Sequence, residues 1–241
     1  EALRMQKHRG PDNSENIIVD SIFLGHNRLS ILDLSEFSNQ PFTKEGRNYL
    51  VFNGEIYNFK ELGNRYFEKD YTSDAEFLYD YVQRFEGRFL NLLDGFFVFA
   101  FYNTADQSLI IARDYFGIKP LYFWNNNGLV TFASEINTLS EIARKSPFNS
   151  NKGLLVEGSR LSDLGEDFCE FPKNTVRVYD YSLSIISDAS IHNSKIKTNI
   201  ALRDLFINEV SKSLVSDCPV GIFLSSGWDS RLIAHIGRNI L

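Results

Sequence analysis

Seven short runs rich in β-branched and aromatic residues crowd the first 133 positions of this chain: Ile17–Val19, Ile22–His26, Tyr49–Phe52, Phe96–Tyr102, Leu109–Arg113, Leu121–Trp124 and Leu129–Ala133. Turn formers separate them, and such spacing leaves little besides a domain built on sheets. Between the third and fourth runs lies a strong helix signal. Ser73-Asp74-Ala75-Glu76 predicts a capping box, with Ser73 as the cap and Glu76 reaching back. Phe77, Leu78, Tyr81, Val82 and Phe85 then recur at helical spacing, and Gly87 is placed to close the end. Strands followed by helices predict an α+β layered domain. Asn125-Asn126-Asn127-Gly128 predicts a hairpin turn. Residues 146–194 carry Ser, Asn, Asp and Gly clusters and read as loops with short strands.

From Asn199 the pattern changes. Leu202, Leu205, Phe206, Val210 and Leu214 form an apolar stripe at helical spacing, and Asp217-Cys218-Pro219 breaks it. Val220–Leu224 is wholly apolar, as a buried parallel strand is. Small residues follow at 225–229, and Ser230–Ile240 reads as a helix. Strand, small-residue loop, helix is the opening of an α/β nucleotide-binding domain. The chain opens at Glu1, in what reads as the last turns of a helix, and stops at Leu241 inside another, so a fragment cut at both ends is expected.

Charge and composition exclude several classes. A net charge of −6 gives no electrostatic basis for a nucleic-acid partner. No apolar run is long enough to span a bilayer, and no signal-peptide pattern opens the chain. Cys169 and Cys218 stand apart, outside metal-ligand spacing, and read as two reduced thiols of a cytoplasmic protein.

Two segments carry candidate chemistry. The loop Ser225–Ser230 opens a helix, where backbone N–H groups attract anions. Small residues let a phosphate approach, and Asp229 is placed to hold a Mg²⁺ ion. A plain strand-to-helix turn capped by Asp229 or Ser230 fits this loop equally well, and it lacks the Gly-Lys-Ser/Thr ending of a Walker A motif. Asn53-Gly54 follows an apolar strand. Alone it reads as an ordinary turn; its functional alternative is an oxyanion hole made by the Asn53 amide and the Gly54 N–H. Arg28 is either a surface charge or a bidentate carboxylate clamp. Asp74 is either a helix N-terminal acid or an ammonium ligand. The segments 8–12 and 113–122 read as structural loops.

In order, the chain resembles the glutamine-dependent asparagine synthetases. The matching stretches are HRGPD at 8–12, RLSILD at 28–33, NGEIYN at 53–58, TSDAE at 72–76, LDGFFVFAFYN at 93–103, RDYFGIKPLYF at 113–123, FASEI at 132–136 and SDCPVGIFLSSGWDS at 216–230. The resemblance implies a four-layer α/β/β/α sandwich like that of N-terminal-nucleophile hydrolases over residues 1–187. A glutamine amidotransferase domain of this kind would be followed at 198–241 by the start of a doubly wound synthetase domain. It implies that Arg28, with the backbone of Ile31 and Leu32, grips the α-carboxylate of glutamine. Asp74 would hold the α-amino group, Asn53 and Gly54 would form the oxyanion hole, and Glu55 would line the pocket. Leu224, Ser225, Ser226, Gly227, Asp229 and Ser230 would bind ATP, with Asp229 the Mg²⁺ contact.

What the resemblance implies for the reaction is release of ammonia from glutamine through a thioester. Aspartate, or another carboxylate acceptor, would be activated by ATP and Mg²⁺ as an acyl-adenylate. A homodimer is left open. Two departures stand out. The family's nucleophile is an N-terminal cysteine whose own amino group, of pKa near 8, serves as base; neither cysteine here has that context, so the chain as given is expected not to hydrolyse glutamine. The family's Ser-Gly-Gly-x-Asp-Ser loop is here Ser225-Ser226-Gly227-Trp228-Asp229-Ser230, and Ser226 adds a Cβ where the backbone would need φ > 0 or close approach to phosphate. Ser226 and Trp228 keep open a relative that amidates a sugar or peptide or closes a lactam, and a non-catalytic module is the third alternative.

Overall fold

A computed structural model describes residues 1–126, 129–146, 167–192 and 200–241. Each of the seven predicted strands is present, most of them longer than predicted: β1 (Asn13–Val19), β2 (Ile22–Arg28), β3 (Asn48–Ile56), β4 (Gly95–Asn103), β5 (Ser108–Arg113), β6 (Tyr122–Asn126) and β7 (Leu129–Ala133). Three more follow, β8 (Phe168–Glu170), β9 (Thr175–Tyr179) and β10 (Ile185–Ser190). The helices are α1 (Ala2–Met5), α2 (Phe59–Phe67), α3 (Asp74–Phe85), α4 (Ile136–Lys145), α5 (Leu202–Ser213) and α6 (Trp228–Ile240).

The central sheet has five antiparallel strands in the order β10-β9-β5-β4-β3. Successive side chains alternate between its faces, as the two-residue period of a strand requires. Phe97, Phe99 and Phe101 of β4, with Leu50, Phe52 and Ile56 of β3, join Phe59 and Leu62 of α2 and Phe77, Leu78, Tyr81 and Val82 of α3 in one core. Val98 and Tyr102, with Leu109 and Ile111 of β5, face the other way into a second core with Leu24 of β2, Leu121 and Phe171. There the hairpin β1–β2 and the three-stranded sheet β7-β6-β8 form the next layer. Leu139 and Ala143 of α4 cover the far side of that small sheet against Trp124 and Phe168. The order is helices, sheet, sheet, helix.

Several local expectations are corrected. Asn53-Gly54 is not a turn: both residues lie inside β3, opposite Val98 and Phe97. A Cβ on Gly54 would stand 2.2 Å from the Phe96 carbonyl oxygen, and one on Gly95 would stand 2.0 Å from that of Glu55, so two glycines let these strands close together. The Ser73 hydroxyl does accept the Glu76 N–H at 3.3 Å, but the Glu76 carboxylate pairs with Lys69 at 2.5 Å and Lys44 at 3.1 Å instead of reaching back. Glu86, in the left-handed conformation, caps α3 in place of Gly87. The predicted turn at 125–128 lies partly outside the described residues, as do 193–198 of the predicted domain boundary and 147–166 of the stretch 146–194, whose described part holds the short strands expected there.

Residues 220–224 are not a buried parallel strand. They lie in no sheet, and Phe223 is fully exposed and Leu224 is 66% exposed. A strand exists only through a ladder with a neighbour, and among the described residues none lies beside this one. The described residues 200–241 form two helices and no sheet, which leaves the start of a doubly wound domain without support from this segment. The flanking helices α5 and α6 do form where predicted, although Leu202 and Phe206 of the α5 stripe face solvent.

Arg113 and Asp114, both buried, shape the turn 114–120. The Asp114 carboxylate accepts the N–H groups of Phe116, Gly117 and Ile118 at 2.9, 2.8 and 3.2 Å on one oxygen and that of Phe97 at 3.2 Å on the other. Arg113 donates to the carbonyls of Lys119, Gly117 and Phe171. Removing the acceptor of four N–H groups, that of Phe97 buried, is costly, so Asp114→Ala should destabilise the chain by about 2 kcal/mol, read as a shifted midpoint in urea unfolding followed by circular dichroism.

Candidate functional site

A cavity of about 730 Å³ opens beside the exposed edge of β3 and runs between the central sheet and the layer of β2 and β7. Arg28, Ile31, Leu32, Asn53, Gly54, Glu55 and Asp74 all line it. These are the seven residues that the resemblance assigns to glutamine, drawn from β2, the loop after it, β3 and the start of α3. Among the described residues β2 pairs only with β1 and β7 only with β6, so each borders the cavity with an unpaired edge.

The edge of β3 supplies donors at alternate residues. The Leu50 N–H goes to the Phe42 carbonyl at 2.8–2.9 Å reciprocally, that of Phe52 to the Gln40 side-chain oxygen at 2.6 Å, and that of Ile56 to the Asp74 carboxylate at 3.1 Å. By the same parity the Gly54 N–H points outward from the ladder, and it has no partner among the described residues. The strand period also puts Val51, Asn53 and Glu55 on the face that lines the cavity. The Asn53 amide has no side-chain partner among the described residues either.

Arg28 is 6% exposed, so it is no surface charge. Its guanidinium donates to the carbonyls of Ser35 at 2.6 Å, Leu32 at 3.4 Å and Asp33, and to the Asn39 side-chain oxygen at 2.9 Å. The loop after β2 is thus folded round the arginine, which fixes where Ile31 and Leu32 stand. HRGPD supports it from outside: the Asp12 carboxylate accepts the Ser30 N–H at 2.7 Å, while His8 and Arg9 meet Glu135 of FASEI at 2.8 and 3.5 Å.

Two carboxyls share the pocket. Burial first, then the charge of Asp74, push the Glu55 carboxyl up to about 8, with Lys119 pulling the other way. Burial also raises Asp74, to about 6, but the N–H groups of Ile56 and Ala75 and the Arg28 charge favour its ionised form. Near neutral pH the proton therefore favours Glu55 and the negative charge Asp74. His26 is driven down to about 4 by burial and by Arg28, and its buried Nδ1 has no partner among the described residues. Lys119, whose ammonium lies 4.9 Å from the centroid of Phe96, is lowered by burial. Reading the sequence alone missed Lys119, His26 and Gln40; only Lys119 carried a signal, as the charge inside RDYFGIKP.

The other group of predicted residues stands elsewhere. Leu224, Ser225, Ser226, Gly227, Asp229 and Ser230 gather at the N-terminus of α6 and none lines the cavity. The Ser225 and Ser230 hydroxyls lie 2.9 Å apart, Ser230 accepts the Ser225 N–H at 3.2 Å, and Ser225 accepts the Gly227 N–H at 3.2 Å. Ser226 is not among the residues with positive φ, and Gly227 has φ −71°, so the extra Cβ strains nothing in this conformation. Exposed hydroxyls and N–H groups at the start of a 13-residue helix fit a phosphate group, and the Asp229 carboxylate is of the oxygen type that Mg²⁺ prefers. Among the described residues no cluster of three metal-ligating side chains occurs, and no helix is long and apolar enough to cross a membrane.

Fold and site together define a layered α+β domain that gathers Arg28, Lys119, Glu55 and Asp74 on a single cavity. Residues 1–156 match the family model of the glutamine amidotransferase domain, and residues 201–240 match that of asparagine synthase. A probable glutamine-hydrolysing asparagine synthetase of Acanthamoeba polyphaga mimivirus is 32% identical over 247 residues, covering 97% of this chain and 45% of the relative. Asparagine synthetase B (glutamine-hydrolysing) of Escherichia coli is 32% identical over 243 residues, covering 99% and 41%. Among solved structures, the glutamine phosphoribosylpyrophosphate amidotransferase of B. subtilis, complexed with ADP and GMP, gives a TM-score of 0.48 at 18% identity over 71% of this chain and 35% of its own. The chain belongs to the glutamine-hydrolysing asparagine synthetase family. It spans less than half the length of these curated relatives.

The carboxyl pair makes stability depend on pH. Because folding raises the Glu55 carboxyl from its ordinary 4.5 to about 8, the folded chain holds that proton more tightly, and stability falls as pH rises through this window. Glu55→Gln should flatten the decline, so unfolding midpoints measured from pH 5 to 8 should converge on a shallower line than for the unaltered chain.

Proposed function

We propose that the cavity binds L-glutamine and presents its side-chain amide to a thiol, in an N-terminal-nucleophile type of amidotransferase domain spanning residues 1–187. The observation that carries this reading is the convergence of all seven assigned residues on one cavity. Arg28 and the backbone of Ile31 and Leu32 take the α-carboxylate, and ionised Asp74 takes the α-ammonium. Both are charge-assisted contacts, and both charges are buried. The amide carbonyl then lies against β3, where the Gly54 N–H and the Asn53 amide donate to the oxyanion as the carbon becomes tetrahedral. Glu55, protonated near neutral pH, adds a donor to this wall without a second negative charge beside Asp74.

The attacking cysteine of the family is not among residues 1–241 in a matching context. The unpaired edges of β2 and β7 border the cavity, and an extended segment carrying that cysteine would complete the ladder there. Thiol addition would expel ammonia and leave a thioester, which water opens to glutamate.

In the second domain, from residue 198, the start of α6 would hold the phosphates of ATP through Leu224–Gly227 and Ser230, with Asp229 at Mg²⁺. ATP would activate the aspartate carboxylate as an acyl-adenylate with release of pyrophosphate, and ammonia would displace AMP to give asparagine. A cytoplasmic location accords with two cysteines that form no disulfide. Relatives that amidate a sugar or peptide or close a lactam, and a non-catalytic module, are not favoured by the match of residues 201–240 to asparagine synthase.

Calorimetric titration of the chain with L-glutamine is the direct test. Binding should be present, should fall at least tenfold in Asp74→Asn, and should be absent for glutaric acid monoamide, which lacks the α-amino group; equal affinity for both ligands would refute the site. Once the cysteine-bearing segment is supplied, Asn53→Ala should lower the glutaminase kcat by about 10²–10³-fold and spare ammonia-dependent synthesis.

A further inference from the structure

The loop after β2 has an anchor from the far end of the chain. Asp217 donates its N–H to the Ile31 carbonyl at 2.9 Å, and its carboxylate accepts the Asp33 N–H at 2.7 Å. The next residue, Cys218, donates its thiol to the Ser30 carbonyl at 3.2 Å. Read along the sequence alone, Asp217-Cys218-Pro219 was no more than the end of a helix.

The two bonds of Asp217 bracket Leu32, and peptide geometry gives them a direction. In a planar trans peptide the C=O and the N–H point opposite ways. The peptide joining Leu32 to Asp33 turns its N–H to Asp217 and its carbonyl to Arg28, so Asp217 and Arg28 grip opposite sides of one plane. The preceding peptide turns the Ile31 carbonyl to Asp217, so the Leu32 N–H points away from Asp217, toward the side where Arg28 stands. That N–H has no partner among the described residues, and Leu32 lines the cavity.

We propose that Asp217 is a positioning residue for the glutamine pocket: by fixing the peptide planes on either side of Leu32, it aims the Leu32 N–H beside the Arg28 guanidinium as a joint carboxylate site. This rests on the reading of the cavity as a glutamine site. Asp217 also begins the segment that leads, through Pro219, to the loop at the start of α6, so the pocket is shaped by the part of the chain that matches asparagine synthase. A second contact across this junction makes a control. The Lys212 ammonium of α5 meets the Asp94 carboxylate at 2.5 Å, away from the loop that Asp217 holds.

The test is L-glutamine titration of the chain with Asp217→Ala, Asp217→Asn and Lys212→Ala, alongside amide hydrogen exchange. Asp217→Ala should raise the Kd about tenfold and speed exchange at residues 31–33. Asp217→Asn, which keeps an acceptor for the Asp33 N–H, should return the Kd to within about threefold of the unaltered chain. Lys212→Ala should leave it unchanged. By linkage, saturating glutamine should slow exchange at residues 216–218. An unchanged Kd in Asp217→Ala overturns the proposal while the glutamine reading stands, and an equal weakening in Lys212→Ala overturns it in favour of a generic junction. No glutamine binding by the unaltered chain removes the glutamine reading and this proposal with it.

Discussion

The central sheet is buried on both faces, and the rest of the molecule answers to that constraint. An antiparallel sheet with one wet face needs a single covering layer. Here Phe97, Phe99 and Phe101 of β4 require one cover, while Val98 and Tyr102 on the other side require a second. Helices α2 and α3 meet the first need. The β1–β2 hairpin and the small sheet meet the second, and α4 then covers the small sheet. The cavity lies in the second interface, where β2 and β7 do not meet, so the site is a consequence of how the outer layer is assembled.

Within that cavity, polar groups are arranged by backbone parity and by one buried arginine. Alternate N–H groups of β3 point out of the sheet, and three of the four at positions 50, 52, 54 and 56 are taken by Phe42, Gln40 and Asp74. Gly54 keeps the fourth, at the position where a side chain would collide with the Phe96 carbonyl. Arg28 turns both terminal nitrogens to the loop around it, so its buried charge is well solvated by carbonyls, while its Nε–H has no partner among the described residues and is left to the pocket. Burial holds His26 uncharged, with Arg28 adding to the effect, and the N–H groups of Ile56 and Ala75, helped by Arg28, favour the ionised form of Asp74 beside Glu55. The pocket thus offers positive charge at Arg28 and negative charge at Asp74, the complement of a zwitterion, with Lys119 also on its wall.

Strands were legible because burial on a pleated surface selects β-branched and aromatic residues, and every predicted run in the first 133 residues became one. Two helices were not. In α2 Gly63 sits mid-helix against the Tyr71 ring, and α4 has Glu135 at its N-cap with no side-chain cap bond, so neither announces itself by caps and spacing. Asn53-Gly54 misled for a related reason: the dipeptide favours turns locally, but pairing with β4 over the full length of β3 outweighs that preference. Val220–Leu224 misled in the opposite sense, since an apolar run earns a strand only beside a partner.

The sequence by itself determined which residues could alternate across a sheet, where α3 begins, and, through the order of its motifs, seven residues that come to line one cavity. Those are local or patterned properties, carried by side-chain period, capping chemistry and motif spacing. Only the tertiary structure decided that Arg28 is buried and caged by its own loop, that burial raises the carboxyls of Glu55 and Asp74, that the Gly54 N–H has no partner among the described residues, and that Asp217 reaches back 184 positions to Asp33. Each of these depends on desolvation or on a contact between segments far apart in the chain, and neither quantity exists until the layers have closed.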